Sequence, residues 1–490
     1  MAKRSNETHF RENGIYRTPP KTVAYMVGKI LTGLPGGSVL DPAGGDGVFV
    51  QELIRQGIDA RRVTAYDIDP EAVANLAQLT PNACELDFLE SAGDERCPKF
   101  HAIIGNPPYN CHESPYVRAN KNALAAKFSR IGVLNTYSMF LYAAINSLEE
   151  GGRLCFIVMD SLLTNTYHRN LRRFILDNCI IEELLLAPRK LFHRAKADVR
   201  TVIITLTRCS GPENADRRGL AVMGLIDRLP DESGYADPAR VQTVRQALFE
   251  RTEQNTFTIG VPEEVIDLFT CVPNRLCDFV RGGAGISTGN DSRFLHRRSE
   301  VGENSEYVPF YKNCAGRAYF CETDLMIERG YEKYLTSVPN FLCRNRSLYF
   351  REGVTCSSMG IRFSACYLPP GSLFGVNACF FPETRLELFY LLGFLNSKLA
   401  SYLLRAVLNR SNMITPGYVK RLPYLPPITD GQTCVSQLAE SITEKLRAIP
   451  QADYSQEQAE IDRLIFDAYG ISEASRIEIT DFCTNIMERL

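Results

Sequence analysis

Ile103-Ile104-Gly105-Asn106-Pro107-Pro108-Tyr109 is the stretch around which the rest of the chain is organised. The apolar run Ala102–Ile104 is typical of a buried parallel strand. The two prolines end the strand and stiffen the chain, because each fixes φ and removes an N–H donor. Asn106 and Tyr109 are therefore expected on a rigid turn at a strand's carboxyl end, where open α/β sheets bind ligands. An amide beside a ring suits a planar ligand carrying an NH2 group, although a Pro-Pro turn capped by asparagine would have the same sequence.

Composition indicates a globular protein of more than one domain. The chain has 490 residues, of which 45% are hydrophobic and 23% charged. Residues 1–7 lack the apolar core of a signal peptide, and no apolar run approaches the roughly 18–20 residues that span a bilayer. We therefore expect a cytoplasmic protein without a membrane segment. The sixteen cysteines and six histidines are scattered without a Cys-x-x-Cys pair, which predicts reduced thiols and no metal site.

A series of polar residues precedes Asn106, each at the end of a predicted strand. Asp41 follows the run Ser38–Leu40 and opens a Gly-rich turn, and two further strands end at Asp67 and Asp87. These four positions are separated by 26, 20 and 19 residues, about one strand-helix unit each. The four side chains should therefore line one edge of a parallel sheet.

The chemistry of this series suits a nucleoside with a cationic end. The Gly-rich turn is not Gly-x-Gly-x-x-Gly, and the carboxylate of Asp41 at its start disfavours a pyrophosphate. Asp67 has the position and charge to bind ribose hydroxyls. Asp87 could accept a hydrogen bond from an adenine amino group, with Phe88 against the ring. Acids at strand ends can also be helix caps.

The alternation of strands and helices predicts an α/β domain of seven strands over residues 1–207. Residues 208–262 contain few apolar runs and are predicted to be a connector. Residues 263–430 carry arginines interleaved with aromatic residues on short β-prone runs, and residues 431–490 are predicted to form helices that pack on that domain.

Several motifs together resemble a known family. These are Tyr16-Arg17-Thr18-Pro19, Asp41-Pro42-Ala43-Gly44-Gly45-Asp46-Gly47, Asp67-Ile68-Asp69-Pro70, Asp87-Phe88, Asn106-Pro107-Pro108-Tyr109 and Asn135-x-Tyr137-x-x-Phe140. Their order resembles that of the γ-class (TaqI/Eco57I-like) type II restriction-modification DNA adenine-N6 methyltransferases. The resemblance implies a Rossmann-like seven-stranded S-adenosylmethionine-dependent methyltransferase domain, followed by a mixed α+β DNA target-recognition domain.

The resemblance also implies roles for individual residues. The Asn106 side-chain oxygen and the Pro107 carbonyl would accept the N6 hydrogens of a flipped adenine, Tyr109 would stack on that base, and Phe192 is the candidate for its other face. The cofactor would be S-adenosylmethionine, released as S-adenosylhomocysteine, without a metal. Its binding residues would be Thr18, Pro19, Asp41, Ala43, Gly44, Gly45, Asp67, Ile68, Asp87, Phe88, Asn106, Pro108 and Phe140.

The expected macromolecular partner is double-stranded DNA with a short target sequence. A separate restriction endonuclease would act on the same site, since residues for a nuclease domain are not evident, and the host would be bacterial or archaeal. The candidate DNA contacts are Arg281, Ser287, Thr288, Asn290, Arg293, Arg297, Arg344 and Arg346. Solvated arginines on an ordinary mixed domain would give the same pattern.

Other substrates are compatible with Asn-Pro-Pro-Tyr. One rival is a protein-glutamine methyltransferase that acts on a translation release factor, and another is an RNA base N-methyltransferase. In the glutamine enzymes the extra domain precedes the catalytic core, whereas here it follows, which favours DNA. A non-catalytic DNA-binding subunit is a third possibility, against which the intact acid series and Asn106 argue.

Overall fold

The computed structural model forms two compact units, Met1–Gly260 and Val261–Leu490. It describes residues 16–32, 36–92, 98–110, 113–189, 191–192, 199–219, 221–225, 229–237, 241–314, 316–410 and 413–487.

A nine-stranded sheet organises the first unit, with strand order β3-β2-β1-β4-β5-β7-β6-β8-β9. The first five of these strands pair in parallel, and β7 is antiparallel to both β5 and β6. The predicted α/β Rossmann-like class is therefore confirmed. The strands are β1 (Val39–Asp41), β2 (Val63–Asp67), β3 (Asn82–Glu85), β4 (Phe100–Gly105), β5 (Leu148–Met159), β6 (Cys179–Leu186), β7 (Thr201–Arg208), β8 (Ala221–Leu225) and β9 (Val241–Arg245).

Helices connect the strands of this sheet, as expected for parallel pairing. In chain order they are α1 (Pro20–Leu31), α2 (Val48–Arg55), α3 (Pro70–Leu76), α4 (Phe88–Ser91), α5 (Pro115–Ala119), α6 (Lys121–Lys127), α7 (Thr136–Ser147), α8 (Ser161–Thr164), α9 (Arg169–Asn178), α10 (Ala215–Arg218) and α11 (Ala247–Arg251).

The segment predicted as a connector, 208–262, is instead largely part of this unit. It adds β8 and β9 to the seven predicted strands. The buried side chain of Gln246 joins it to β6: its amide oxygen accepts from the Ile181 N–H at 2.9 Å, and its amide nitrogen donates to the Cys179 carbonyl at 2.8 Å. Polar contacts of this kind leave no hydrophobic periodicity, so the sequence alone did not indicate them.

Arg172 forms hydrogen bonds to residues near the C-terminal end of the same segment. Its guanidinium is 0% exposed. It donates to the carbonyls of Leu162 and Asn165 at 2.8 Å, and to those of Gln254 and Asn255 at 3.0 Å. One buried cation therefore satisfies four backbone acceptors from two parts of the chain and holds residues 254–255 to the first unit.

The second unit is a mixed α+β structure, as predicted. It has two four-stranded sheets, β10-β19-β16-β17 and β12-β14-β13-β18, and a separate pair, β11-β15. The strands are β10 (Arg281–Gly283), β11 (Ile286–Ser287), β12 (Leu295–Arg297), β13 (Tyr307–Tyr311), β14 (Leu325–Glu328), β15 (Leu342–Cys343), β16 (Gly353–Cys356), β17 (Ala365–Leu368), β18 (Leu373–Phe374) and β19 (Cys379–Phe381).

The helices of the second unit are mostly in its C-terminal half. They are α12 (Glu263–Cys271), α13 (Leu276–Phe279), α14 (Asp291–Phe294), α15 (Arg298–Val301), α16 (Arg385–Asn396), α17 (Lys398–Tyr402), α18 (Pro416–Val419), α19 (Asp430–Ala448), α20 (Ser455–Ala468) and α21 (Glu473–Asp481). Helices α16 and α19 pack closely, since a Cβ at Gly393 would lie 2.7 Å from Val435 Cγ1. Helix α20 is held to the same unit by Tyr319, whose hydroxyl donates to Gln458 Oε1 at 2.7 Å.

Within the described residues, no single helix is both long and apolar enough to cross a membrane. The helices Arg385–Asn396 and Lys398–Leu408 pass that test when taken together, and this pair is bent by 57° at its break. The side chains of both segments are mostly buried inside the second unit.

We expect Arg172→Met to lower the free energy of unfolding of the first unit by roughly 3–5 kcal/mol, because buried carbonyls lose a charged donor. The measurement is urea denaturation of the full chain, followed by circular dichroism. Arg173→Met is the matched control, since Arg173 is half exposed and pairs with Asp177 on the surface. Equal losses of stability in the two variants would contradict this account of Arg172.

Candidate active site at the carboxyl ends of the strands

Asn106 lies directly after β4 with its amide fixed by two contacts. Its Nδ2 donates to the Tyr16 carbonyl at 2.7 Å and to Thr18 Oγ1 at 3.1 Å. Its Oδ1 is shielded from solvent and has no hydrogen-bond partner among the described residues. A buried acceptor without a partner costs free energy, so this oxygen is positioned to accept a hydrogen bond from a ligand.

Asp41 is the last residue of the neighbouring strand β1, and like Asn106 it has a buried side-chain oxygen. Its carboxyl is 0% exposed. Its Oδ1 accepts from the Ala43 N–H at 3.3 Å, while Oδ2 has no partner in the described part of the chain. Burial, reinforced by repulsion from Asp67 and Asp46, raises the pKa of the Asp41 carboxyl to about 8. A cationic ligand group beside Oδ2 would compensate both the missing hydrogen bond and the desolvation of the charge.

The Gly-rich turn after β1 is shaped both by close packing and by Asp67. A Cβ at Gly44 would lie 2.8 Å from Leu76 Cδ1. Gly45 has a φ of +50° and donates its backbone N–H to Asp67 Oδ2 at 2.8 Å. The backbone N–H of Asp69 donates to Asp67 Oδ1 at 3.0 Å. Asp67 therefore holds the turn in place at the same edge of the sheet as Asp41.

Asp87 caps the N-terminus of α4, which is one of the two roles that the sequence allowed. Its Oδ1 accepts from the N–H groups of Leu89 and Glu90, at 2.9 and 3.2 Å, and its Oδ2 accepts from the Tyr116 hydroxyl at 2.8 Å. Burial together with this hydrogen bond raises the pKa of Tyr116. Both carboxyl oxygens are already engaged, so a contact to an adenine amino group would be additional to these bonds.

An apolar surface adjoins these acids. The rings of Phe88 and Phe140 are buried with centroids 5.6 Å apart, and Tyr66 is 6.4 Å from Phe88. Ile68, next to Asp67, is a large apolar side chain that is 60% exposed. Because Ile68 is exposed next to Asp67, the candidate for ribose binding, it offers an apolar surface that a planar ring could cover.

Three aromatic rings form a cluster beside Asn106. Tyr109 and Phe192 are both buried, with centroids 6.4 Å apart and planes inclined by 76°. Tyr16 lies 5.6 Å from Tyr109 and 5.5 Å from Phe192. The structure thus places Phe192 beside Tyr109, with the two rings edge-on rather than parallel.

Hydrogen bonds fix this cluster from behind. The Tyr109 hydroxyl donates to the Ile157 carbonyl at 3.2 Å, and Tyr137 packs edge-on to the Tyr109 ring at 6.3 Å. The Tyr137 hydroxyl lies 2.7 Å from His168 Nε2, and burial lowers the pKa of His168 to about 3, so this imidazole is neutral. The Tyr109 ring therefore packs against Tyr137, whose hydroxyl is hydrogen-bonded to a neutral histidine.

The remaining predicted site residues lie at the same edge. Thr18 is buried, Pro19 precedes the first turn of α1, and Pro107 is buried directly after Asn106. The Pro108 carbonyl accepts a hydrogen bond from Thr136 Oγ1. Among the residues that the structure describes, no group of three or more His, Cys, Asp or Glu side chains could hold a metal ion.

Comparison with known proteins identifies the central part of this unit. Residues 61–192 match the family model described as Eco57I restriction-modification methylase. This segment is an Eco57I-type restriction-modification methylase domain. It contains Asn106 and Tyr109, whereas Thr18 and Asp41 precede the match. The resemblance to γ-class restriction-modification methylases is thereby confirmed.

Relatives of known classification support the same family. The Type II methyltransferase M.HincII of Haemophilus influenzae is 29% identical over 191 residues, which are 38% of this chain and 36% of the relative. The match thus spans about a third of the length of M.HincII. The Type II methyltransferase M.VspI of Vibrio sp. (strain 343) is 24% identical over 321 residues, 63% of this chain and 71% of the relative.

A solved structure shares the fold over a longer range. The Type IIL restriction-modification enzyme MmeI, solved in complex with DNA, covers 95% of this chain and 75% of its own, with a TM-score of 0.63 and 12% identity. At that identity the likeness concerns the fold alone.

The predicted DNA contacts lie in the second unit, and pairing of β11 with β15 brings two groups of them together. Arg281 and Arg344 are exposed. Arg293 lies over the ring of Phe294, Arg297 pairs with Asp324, and Arg346 pairs with Glu332. Ser287 lies within β11, and Asn290 precedes the first turn of α14. Thr288 departs from the predicted role, because it is buried with its hydroxyl on Asp291.

Sequence reasoning assigned no role to two residues that the structure places at the site. Tyr16 contributes both its carbonyl to Asn106 and its ring to the aromatic cluster. Tyr116 supplies a hydroxyl to Asp87. Tyr16 belongs to the motif Tyr16-Arg17-Thr18-Pro19, which was a signal for its presence at the site. Its contact with Tyr109 depends on tertiary packing, which sequence spacing does not predict.

The raised pKa of Asp41 predicts a pH dependence of stability in the ligand-free protein. Between the ordinary pKa of 3.8 and about 8, the folded state holds a proton that the unfolded state has lost, so this group makes stability fall as pH rises through that window. We expect Asp41→Asn to remove this contribution, which thermal denaturation at pH 5 and pH 8 would measure. Asp216→Asn, exposed on α10, is the control. Parallel pH profiles for wild type and Asp41→Asn would contradict the prediction.

Proposed function

We propose that the chain is an S-adenosylmethionine-dependent DNA methyltransferase that modifies adenine N6 in duplex DNA after base flipping. It would be the modification enzyme of a bacterial or archaeal restriction-modification system, acting in the cytoplasm beside a separate endonuclease. The observation that carries the proposal is a pair of buried oxygens, Asp41 Oδ2 and Asn106 Oδ1, at the ends of adjacent strands. Neither oxygen has a hydrogen-bond partner among the residues that the structure describes.

The residues around Asp41 fit this cofactor. Asp41 Oδ2 would bind the ammonium of the methionine part, with Thr18 near its carboxylate and the backbone of residues 43–45 lining the same end. Asp67 would bind the ribose, while Ile68, Phe88 and Phe140 would enclose adenine, with Asp87 near its amino group. When bound, the cofactor supplies a methyl group on a positively charged sulfur.

Asn106 and Pro107 would prepare the acceptor. Adenine N6 is a poor nucleophile, because its lone pair is delocalised into the ring. Hydrogen bonds from the amino group to Asn106 Oδ1 and the Pro107 carbonyl would help localise that pair. The contacts to Tyr16 and Thr18 hold the amide before the substrate arrives, which is positioning combined with preorganised electrostatics.

The aromatic cluster would form the walls of the base pocket. Tyr109 would stack on the extruded base, an interaction worth roughly 1–3 kcal/mol. Phe192 would contact the base at its edge in the orientation found here, and Tyr16 would form a further wall. Protein glutamine or an RNA base would present a similar planar amide or amine, so direct comparison of substrates discriminates between these proposals.

Purified protein is expected to transfer labelled methyl from S-adenosylmethionine to adenine N6 of duplex DNA. Asn106→Ala should reduce the rate by about 100-fold or more, because one acceptor of the N6 hydrogens is lost. Asn75→Ala, exposed on α3, is the matched control and should retain activity. Transfer to release factor or RNA but to no DNA would overturn the proposal.

A further inference from the structure

The β11–β15 pair forms a small two-stranded ribbon in the second unit. Ile286 lies opposite Cys343, and Ser287 lies opposite Leu342. Ile286 is buried and Cys343 packs partly against the core, so this pair faces inward. Because successive strand residues point to opposite faces, Ser287 and Leu342 share the outward face.

Arg344 extends that outward face. Its N–H donates to the Gly285 carbonyl at 3.3 Å, which continues the ladder one residue beyond Cys343. Arg344 is therefore two positions from Leu342 and on the same side. Both side chains are exposed, Leu342 by 46%. The outward face thus presents a hydroxyl, an apolar group and a guanidinium side by side.

Close packing of glycines holds the ribbon rigidly. A Cβ at Gly285 would lie 2.2 Å from the Phe374 carbonyl oxygen, and one at Gly283 would lie 2.5 Å from Asn345 Nδ2. Asn345 also donates from Nδ2 to the Ala284 carbonyl at 2.8 Å. The backbone that carries the outward side chains is therefore closely packed on both sides, which favours a defined reading surface.

The charge carried by the ribbon and its flanks is positive. Residues 338–351 contain three arginines and no acid, and residues 281–290 contain one arginine and no acid. Arg346 is paired with Glu332 and Arg351 with Glu383, so only the remaining arginines are available to a polyanion. The nearest following acid, Asp291, is held by Lys312 at 2.6 Å and by Thr288. Arg281 and Arg344 form no ion pair with a described residue.

A single exposed leucine is ordinary on a protein surface and carries no weight alone. Its place between Ser287 and Arg344 on one face of a basic ribbon is what points to DNA bases. The major groove admits a two-stranded ribbon, arginine pairs with the O6 and N7 atoms of guanine, and apolar side chains contact the thymine methyl.

We propose that the β11–β15 ribbon enters the major groove of the duplex and that Leu342 and Arg344 determine the target sequence. This rests on the proposed function. Arg344 reads a guanine and Leu342 an adjacent thymine methyl, while Arg281 at the flank contacts phosphate.

The test is per-base sequencing of N6-methyladenine in DNA from cells that lack this mark and express the full chain. Wild type should methylate one target sequence. Arg344→Gln and Arg344→Lys should relax discrimination at one G·C position by roughly 5- to 150-fold, and Leu342→Ser should relax one A·T position. Leu386→Ser and Arg463→Gln, exposed on α16 and α20, are the matched controls and should leave the target unchanged.

The Arg344→Lys variant separates base reading from charge, because lysine keeps the phosphate attraction but lacks the two-pronged guanidinium. An unchanged target in all three ribbon variants would overturn the inference. An even loss of methylation at every target site, with the same sequence, would assign these residues to phosphate contacts and would also overturn it. If wild type leaves no N6-methyladenine, the proposed function itself fails and the inference with it.

Discussion

Parallel pairing of β1 with β4 is the constraint on which the candidate site depends. Leu40 lies opposite Ile103 in this pair, so Asp41, which ends β1, and Asn106, which follows β4, lie at one edge of the sheet. Each carries a buried oxygen that has no hydrogen-bond partner in the described part of the chain. Two buried oxygens without partners lower the stability of the fold. The hydrogen bonds of Asp67 to the Gly-rich turn, and those of Asn106 to Tyr16 and Thr18, hold the surrounding backbone in place.

Much of this edge could be predicted from the sequence. Short apolar runs ending in Asp41, Asp67 and Asn106 imply parallel strands, and parallel strands place their ends together. Asp87 was predicted with two roles, and the structure shows its capping role, since caps depend only on neighbouring N–H groups. The orientation of Phe192 could not be predicted, because ring angles follow from packing among distant residues.

The extent of the first unit was harder to predict for a related reason. Residues 208–262 lack apolar periodicity, which suggested a connector. Gln246 nevertheless joins this segment to β6, and Arg172 joins it to α9, through polar contacts. In the second unit, sequence reasoning grouped Arg281 and Arg344 only by composition. The pairing of β11 with β15 places the segments near these residues together. Thr288 was assigned to DNA by its polarity, although its hydroxyl is used by Asp291.

The most direct measurement of the central claim is a crystal structure of the full chain with duplex DNA and an unreactive cofactor analogue. The account predicts an extruded adenine whose N6 lies within about 3.2 Å of Asn106 Oδ1, and an analogue whose ammonium contacts Asp41 Oδ2. A base that remains stacked in the duplex, or an amino group bound away from Asn106 while Oδ1 stays unpaired, would contradict it.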